Sequence, residues 1–228
     1  MTVQPPTFQR ARSEEQRAER RERILATATT MLKSRRVADL SLNELARQVG
    51  LAKSNVLHYF ESREAVLLEL YSREFQSWLI ELDVRLTAEQ QSGQSPDLET
   101  VARAIADTVA DRSVLCELTA ASAGVLEHNV SADVAAEYKK SAISNSYRLA
   151  ELVSSRIGPF PDTSALVFVA AVSIIIGGVW ASSQPSEAMT EAYAAHPELR
   201  SMQIDFRTAV RELVATVLAG LRERIPRA

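Results

Sequence analysis

The sequence predicts an all-α protein, either one compact unit or a small domain on a larger one. Three observations carry this. The 228 residues hold only eight Pro, with none between Pro6 and Pro96 or between Pro96 and Pro159, which leaves room for long uninterrupted helices. No stretch sustains the two-residue alternation of a half-buried strand. Apolar residues recur instead at helical spacing, beginning with Ile24, Leu25, Ala28 and Leu32. Apolar residues at 46% and charged residues at 24% are globular values, and the length allows a substantial core.

Residues 1–12 read as a flexible basic arm bearing Pro5, Pro6, Arg10 and Arg12, of the kind that can lie on phosphates or enter a minor groove. Ser13 and Gln16 form a capping box, so the first helix is expected to start there. Its early turns interleave Arg17, Arg20, Arg21 and Arg23 with Glu14, Glu15, Glu19 and Glu22, a solvated face laced by pairs four residues apart. Arg17 is kept as a candidate phosphate contact.

Residues 41–60 read as two short helices around a turn at Gly50. Ser41 is a good N-cap, and Glu44 completes the capping box. Leu42, Leu45, Ala46 and Val49 make one apolar face, and Gly50 can take the left-handed conformation that ends such a helix. Leu51 and Val56 anchor the second helix, which leaves Lys53, Ser54, Asn55, His58 and Tyr59 pointing elsewhere. Small and amide side chains flanked by donors suit a helix that reads a DNA major groove. An ordinary polar hairpin fits the same pattern. On the first reading Lys53, Ser54, Asn55 and His58 lie near base edges, Asn43 on the preceding helix reads as a secondary contact, and Ser41, Tyr59 and Arg63 meet phosphates.

The run from Leu51 to Leu67, LAKSNVLHYFESREAVL, resembles the TetR-like repressor family. Gly50, Lys53, Tyr59, Phe60, Ser62, Glu64 and Leu67 stand where that pattern wants them, and Ile24, Leu25, Ala28 and Leu32 of the first helix agree. The resemblance covers the chain up to Leu70 and implies a helix-turn-helix DNA-binding head over residues 13–66. It also implies a helical ligand-binding and dimerisation body over residues 67–228. Four positions depart from the pattern. Leu57 replaces the first Tyr of the aromatic pair, Arg63 replaces Lys, Ala52 replaces a Ser or Thr cap, and Arg36 replaces the glycine after the first helix. Arg63 preserves a phosphate contact and can make it bidentate.

Residues 63–90 read as one helix with an apolar stripe of Leu67, Tyr71, Phe75, Trp78, Leu82 and Leu86. It begins in the head and runs into the body, as a lever between them. After a loop at residues 92–96, helices follow over residues 97–111, 113–126, 131–157, 162–182 and 202–224. Gly158, Pro159, Phe160 and Pro161 break the chain between two of them, and the irregular stretch 185–197 contains a short helix over residues 187–195. Residues 163–186 carry no charge and reach transmembrane length. Serines, Gln184 and two adjacent glycines dilute the segment, and no basic cluster flanks it, so a helix buried inside the body and against a partner is expected, with no membrane. Its small residues Ala170, Ser173, Gly177 and Ala181 form a stripe, and the last helix carries Phe206, Val210, Leu213, Val217, Leu218 and Leu221 on one face. Two such helices from each of two chains make a four-helix homodimer interface, and a dimer reads two half-sites.

The resemblance further implies a small-molecule effector pocket in the body. Candidate residues are Phe75, Trp78, Cys116, His128, Tyr138, Tyr147, Phe168 and Trp180, with plain core packing as the competing role for each. Their apolar bias points to an uncharged or amphipathic effector.

Charge is uneven. Residues 1–60 hold 11 Lys+Arg and 6 Asp+Glu, a net of +5, while residues 61–228 hold 15 and 23, a net of −8. A basic head on an acidic body suits a protein whose head alone meets phosphate. The single Cys116 excludes an internal disulfide, and the first 23 residues hold no apolar signal core, so a cytoplasmic protein is expected. His58, His128 and His196 are isolated, and HExxH, CxxC, GxSxG, GxxxxGK[ST] and GxGxxG do not occur, so no catalytic, metal or cofactor site is expected. The expected function is a ligand-responsive transcriptional regulator, a repressor first of all, that binds a palindromic operator in double-stranded DNA as a homodimer. The alternatives are a helical enzyme that keeps the hairpin as structure, or a DNA-binding protein without ligand response.

Overall fold

The computed structural model describes residues 7–91, 97–160 and 162–223; residues 1–6, the expected loop at 92–96, Pro161 and the last five residues lie outside them. The described residues form ten α-helices and no strand. The head comprises α1 (Thr7–Leu32), α2 (Leu42–Val49) and α3 (Lys53–Tyr59). The lever is α4 (Arg63–Gln91). The body adds α5 (Leu98–Ala110), α6 (Ser113–Ala121), α7 (Ala132–Ile157), α8 (Asp162–Ser182), α9 (Glu187–Ala195) and α10 (Phe206–Glu223).

Three boundaries differ from the sequence reading. Helix α1 opens at Thr7, ahead of Ser13, so the first half of the expected arm is the only part left outside the described residues. Nothing between Thr7 and Ser13 breaks a helix. Helix α6 stops at Ala121 and gives way to a π turn over Ser122–Leu126, where Gly124 weakens the α-helical preference. Helix α10 starts at Phe206 rather than near Met202, because Asp205 accepts from the Thr208 amide (2.8 Å) as an N-cap and a 3-10 turn occupies Pro197–Met202. The Thr208 side chain first, and then its amide, hold the Asp205 carboxyl below its ordinary range.

One continuous apolar core runs through both parts. In the head, Ile24, Leu25 and Ala28 of α1 meet Leu45 and Val49 of α2, Val56 of α3, and Val66 and Leu67 of α4. Trp78, Leu79, Leu82 and Leu86 carry α4 into the body against α5 and α7. Trp78 is fully buried, and its indole N–H donates to Thr108 Oγ1 (2.9 Å), which in turn donates to the Ala104 carbonyl (2.7 Å). The only polar atom of that large side chain is therefore satisfied.

Helix α8 packs Phe168, Val172, Ile176 and Val179 against α6, α7 and α10, yet leaves Leu166, Val167 and Ile174 facing out, Ile174 at 73% exposure. By length and composition Ser164–Ser182 is enough to cross a membrane, and 33% of it is buried. The small-residue stripe is not the outward face. An added Cβ on Gly177 would meet the Ala120 Cα at 3.2 Å and the Thr119 carbonyl at 3.3 Å, so Gly177 admits α6 of the same chain. Ser173 turns half inward, while Ala170 and Ala181 are exposed at the edge of a face centred on Val167 and Ile174. On α10, Val210 and Leu221, with Val214 and Leu218, are buried in the chain's own core, where α10 packs on α5 and α8. Leu213 is exposed, and Phe206 and Val217 lie at the border, Phe206 edge-on to Trp180 at 5.4 Å.

Candidate functional site

Three local devices set α2 and α3. Ser41 Oγ accepts from the Glu44 amide (3.2 Å) and caps α2. Glu44 does not reciprocate as a capping box would: its carboxylate takes the Arg35 guanidinium, which holds it below the usual carboxylate range. At the other end Gly50 stands at φ 75° and ψ 34°. Its amide donates to Arg47 and that of Leu51 to Ala46, the paired closure that a left-handed residue permits. Helix α3 then starts without a side-chain cap at Ala52.

Val56 is fully buried and Phe60 nearly so, which fixes α3 by one side. Lys53, Ser54, Asn55, Leu57 and His58 are exposed on the other, and Ser41 and Asn43 are exposed at the start of α2. Tyr59 is half-buried, edge-on to His58 at 5.5 Å. Arg17 is exposed further back on α1. Arg63 is not a free cation. Its guanidinium donates to the Glu64 carboxylate (2.7 and 3.0 Å) and to the Leu40 carbonyl (3.1 Å), and it ties α4 to the chain entering α2.

The arginines of α1 do more than line a solvated face. Arg23 donates to the Val49 carbonyl (3.2 Å) at the end of α2. Arg21 donates to the Tyr59 carbonyl at the end of α3, pairs with Glu69 of α4, and lies 4.1 Å over the Phe60 ring. Glu22 pairs with Arg73 of α4 (2.7 Å). Guanidinium groups therefore cap the C-terminal ends of both hairpin helices, where carbonyls and the helix dipole favour cations. No sequence signal marks these contacts, because the partners lie 26 and 38 residues away.

A second joint links head and body. Glu117 of α6 accepts from the Val37 amide (2.8 Å), in the turn after α1, and from the Trp180 indole of α8 (3.0 Å). Arg36, which stands where the resembled pattern has glycine, donates to the Gln184 carbonyl (3.0 Å). The departure from glycine is thus a head–body contact.

Of the ligand candidates, Phe75 and Tyr138 line an inner cavity of about 170 Å³ between α4, α7 and the π turn. Tyr71, Ser122, Asn145 and Ser173 also line it; the sequence reading placed Tyr71 in the apolar stripe of α4 and Ser173 at a dimer contact, and named neither for a ligand. The other candidates lie elsewhere. Trp78, Cys116 and Phe168 are fully buried in the core, Tyr147 and His128 are exposed, and Trp180 belongs to the Glu117 joint. Burial pushes the Cys116 thiol up to about 12, which keeps it protonated and inert. Burial likewise raises the phenols of Tyr71 and Tyr138 above their ordinary range.

A three-helix head presenting an exposed polar helix, carried on an all-helical body, defines a helix-turn-helix regulator. Comparison with known proteins places it further. The family of bacterial regulatory proteins, tetR family, matches residues 24–70, and the tetracyclin repressor-like C-terminal domain matches residues 72–225. The chain belongs to the TetR family. It is 46% identical over 50 residues to the HTH-type transcriptional regulator EthR of Mycobacterium tuberculosis, a stretch that is 22% of this chain and 23% of EthR. An uncharacterized HTH-type transcriptional regulator from Xanthobacter autotrophicus is 26% identical over 172 residues, 75% of this chain and 81% of that one. A solved structure from Shewanella sp. PV-4, titled as a tetR family regulator, superposes with a TM-score of 0.51 at 18% identity, covering 86% of this chain and 96% of that one, a likeness of fold.

Proposed function

We propose that this chain is the protomer of a homodimeric, effector-released repressor in the cytoplasm, with no catalytic activity of its own. It binds a palindromic operator by setting α3 in the major groove. The observation that carries this is the division of α3, whose apolar Val56 is buried while Lys53, Ser54, Asn55 and His58 are exposed together. Lys53, Ser54, Asn55 and His58 then meet base edges, with Asn43 beside them, and Ser41, Tyr59 and Arg17 meet phosphates. Arg63 serves first as the strut between α4 and Leu40, and reaches a phosphate only by releasing it.

The outward faces of α8 and α10, with Leu166, Val167, Ile174 and Leu213, support the dimer. Apolar residues on that scale need covering, and two copies related by a two-fold axis cover each other. An effector acts by binding the DNA-incompetent arrangement better, and a tenfold preference supplies only about 1.4 kcal/mol. The test is a mobility shift on the DNA flanking the protein's own gene, repeated with Asn55→Ala. The variant is expected to lose about 1–3 kcal/mol on the operator and nothing on random DNA. Equal losses on both would remove Asn55 from base reading. No shift of that DNA by the unaltered protein would overturn the regulator reading.

A further inference from the structure

The inner cavity, at about 170 Å³, is smaller than the roughly 300–1,000 Å³ that drug-sized ligands occupy. A second hollow, about 460 Å³, lies outside it, between the head and α7. Its floor is apolar and aromatic, from Phe60 and Leu68 on one wall and Val134 and Tyr138 on the other. Glu61, Asp133 and Glu137 stand around it, and Tyr138 is shared with the inner cavity.

We propose that this crevice is a binding site for a cationic amphiphile, an organic cation with aromatic or aliphatic bulk. Among its lining residues Arg21 is the one positive side chain, against the carboxylates of Glu61, Glu69, Asp133 and Glu137; just outside the lining, Arg73 also pairs with Glu69 and Lys140 with Glu137. Each exposed carboxylate alone attracts weakly, but several on the rim of a half-enclosed apolar cleft focus their field into it. The walls already hold cations. The Arg21 guanidinium lies 4.1 Å over the Phe60 ring and pairs with Glu69, and Lys139 Nζ stands 5.3 Å from the Tyr138 ring centre. A free organic cation can use the same ring faces and carboxylates.

The crevice is bounded by both parts of the molecule. Tyr59 and Phe60 at the end of α3 form one side and α7 the other, joined where the Ser131 amide donates to Glu61 (2.6 Å). A bound cation competes with Arg21 for Glu69 and Phe60, and so loosens the clamp on the C-terminal end of α3. That consequence rests on the regulator reading above; the binding itself does not.

The test uses the full chain and a pair of ions of nearly equal shape and opposite charge, tetraphenylphosphonium and tetraphenylborate, with affinity measured by titration calorimetry in the absence of DNA. Tetraphenylphosphonium is expected to bind at least tenfold more tightly. The double variant D133N/E137Q, at exposed positions, is expected to lose about tenfold of that affinity, the equivalent of about 1.4 kcal/mol, with only a small fall in melting temperature, since Asp133 stands in the first turn of α7 and Glu137 pairs with exposed Lys140. Arg21→Met, which removes the resident cation, is expected to bind tetraphenylphosphonium severalfold more tightly. Equal affinity for the two ions, or a D133N/E137Q affinity within twofold of the original, overturns the proposal. Operator binding by the ligand-free protein is measured separately, so a failed mobility shift sinks the regulator reading and leaves this result standing.

Discussion

Arg21→Met tests whether the α1 clamp holds the candidate reading helix. Methionine keeps most of the apolar stem and removes the guanidinium, so three interactions are lost at once. The hydrogen bond to the Tyr59 carbonyl contributes about 1 kcal/mol. The ion pair with Glu69 has side chains 32% and 27% exposed, so solvent screening reduces it to about 0.5 kcal/mol. The guanidinium over Phe60 adds about 0.5–1 kcal/mol. The expected loss is about 2 kcal/mol, which for a chain of this length lowers the melting temperature by about 4–8 °C. Urea unfolding at fixed protein concentration measures it, because stability that includes a dimer depends on concentration. Arg21 touches no base in this arrangement, so operator and random DNA are expected to weaken alike, by about tenfold if re-ordering α3 costs about 1.4 kcal/mol. A variant that melts within 1 °C of the original and binds DNA as well would show that the clamp holds nothing.

Other perturbations separate the remaining assignments. Ile174→Asp places a charge on the outward face of α8 and is expected to give a folded monomer by analytical ultracentrifugation; a persistent dimer would move the interface off α8. The Cys116 thiol rises in the folded state from 9.0 to about 12, so the unfolded chain ionises first and stability falls as pH climbs between those values. Cys116→Ala is expected to make that alkaline decline shallower, and native Cys116 to resist a thiol reagent at pH 8 that labels the unfolded chain; rapid native labelling would contradict its burial. The adjacent glycines of α8 are expected to differ in sign. Gly178→Ala meets open space and stabilises by about 1 kcal/mol. Gly177→Ala drives a Cβ to 3.2–3.3 Å from the α6 backbone, an overpacking of about 1–3 kcal/mol that outweighs the same helical gain. Equal unfolding midpoints for the two variants would refute that close approach.

Much of the fold was legible because its signals are local. The Ser41 cap, the Gly50 turn, the anchor at Val56, and the starts of α7 and α9 all follow from side chains a few residues apart, and the structure places them as read. The exposed polar side of α3 was legible for the same reason, since one buried residue in a short helix fixes which way the others face. Direction relative to other helices was not. Composition marks α8 as apolar on every side and periodicity finds an apolar side of α10, but neither says whether a helix of the same chain covers it. Gly177, Val210 and Leu221 therefore turned out to be internal, while Ile174 faces out. Arg21, Arg23, Arg36 and Glu117 reach partners dozens of residues away, and only the packed chain brings those groups within hydrogen-bonding distance. The crevice between the head and α7 belongs to no single segment. The sequence determined the helices and the polar side of α3; the tertiary structure alone decided which apolar faces were covered and which distant charges met, because both depend on where other helices come to rest.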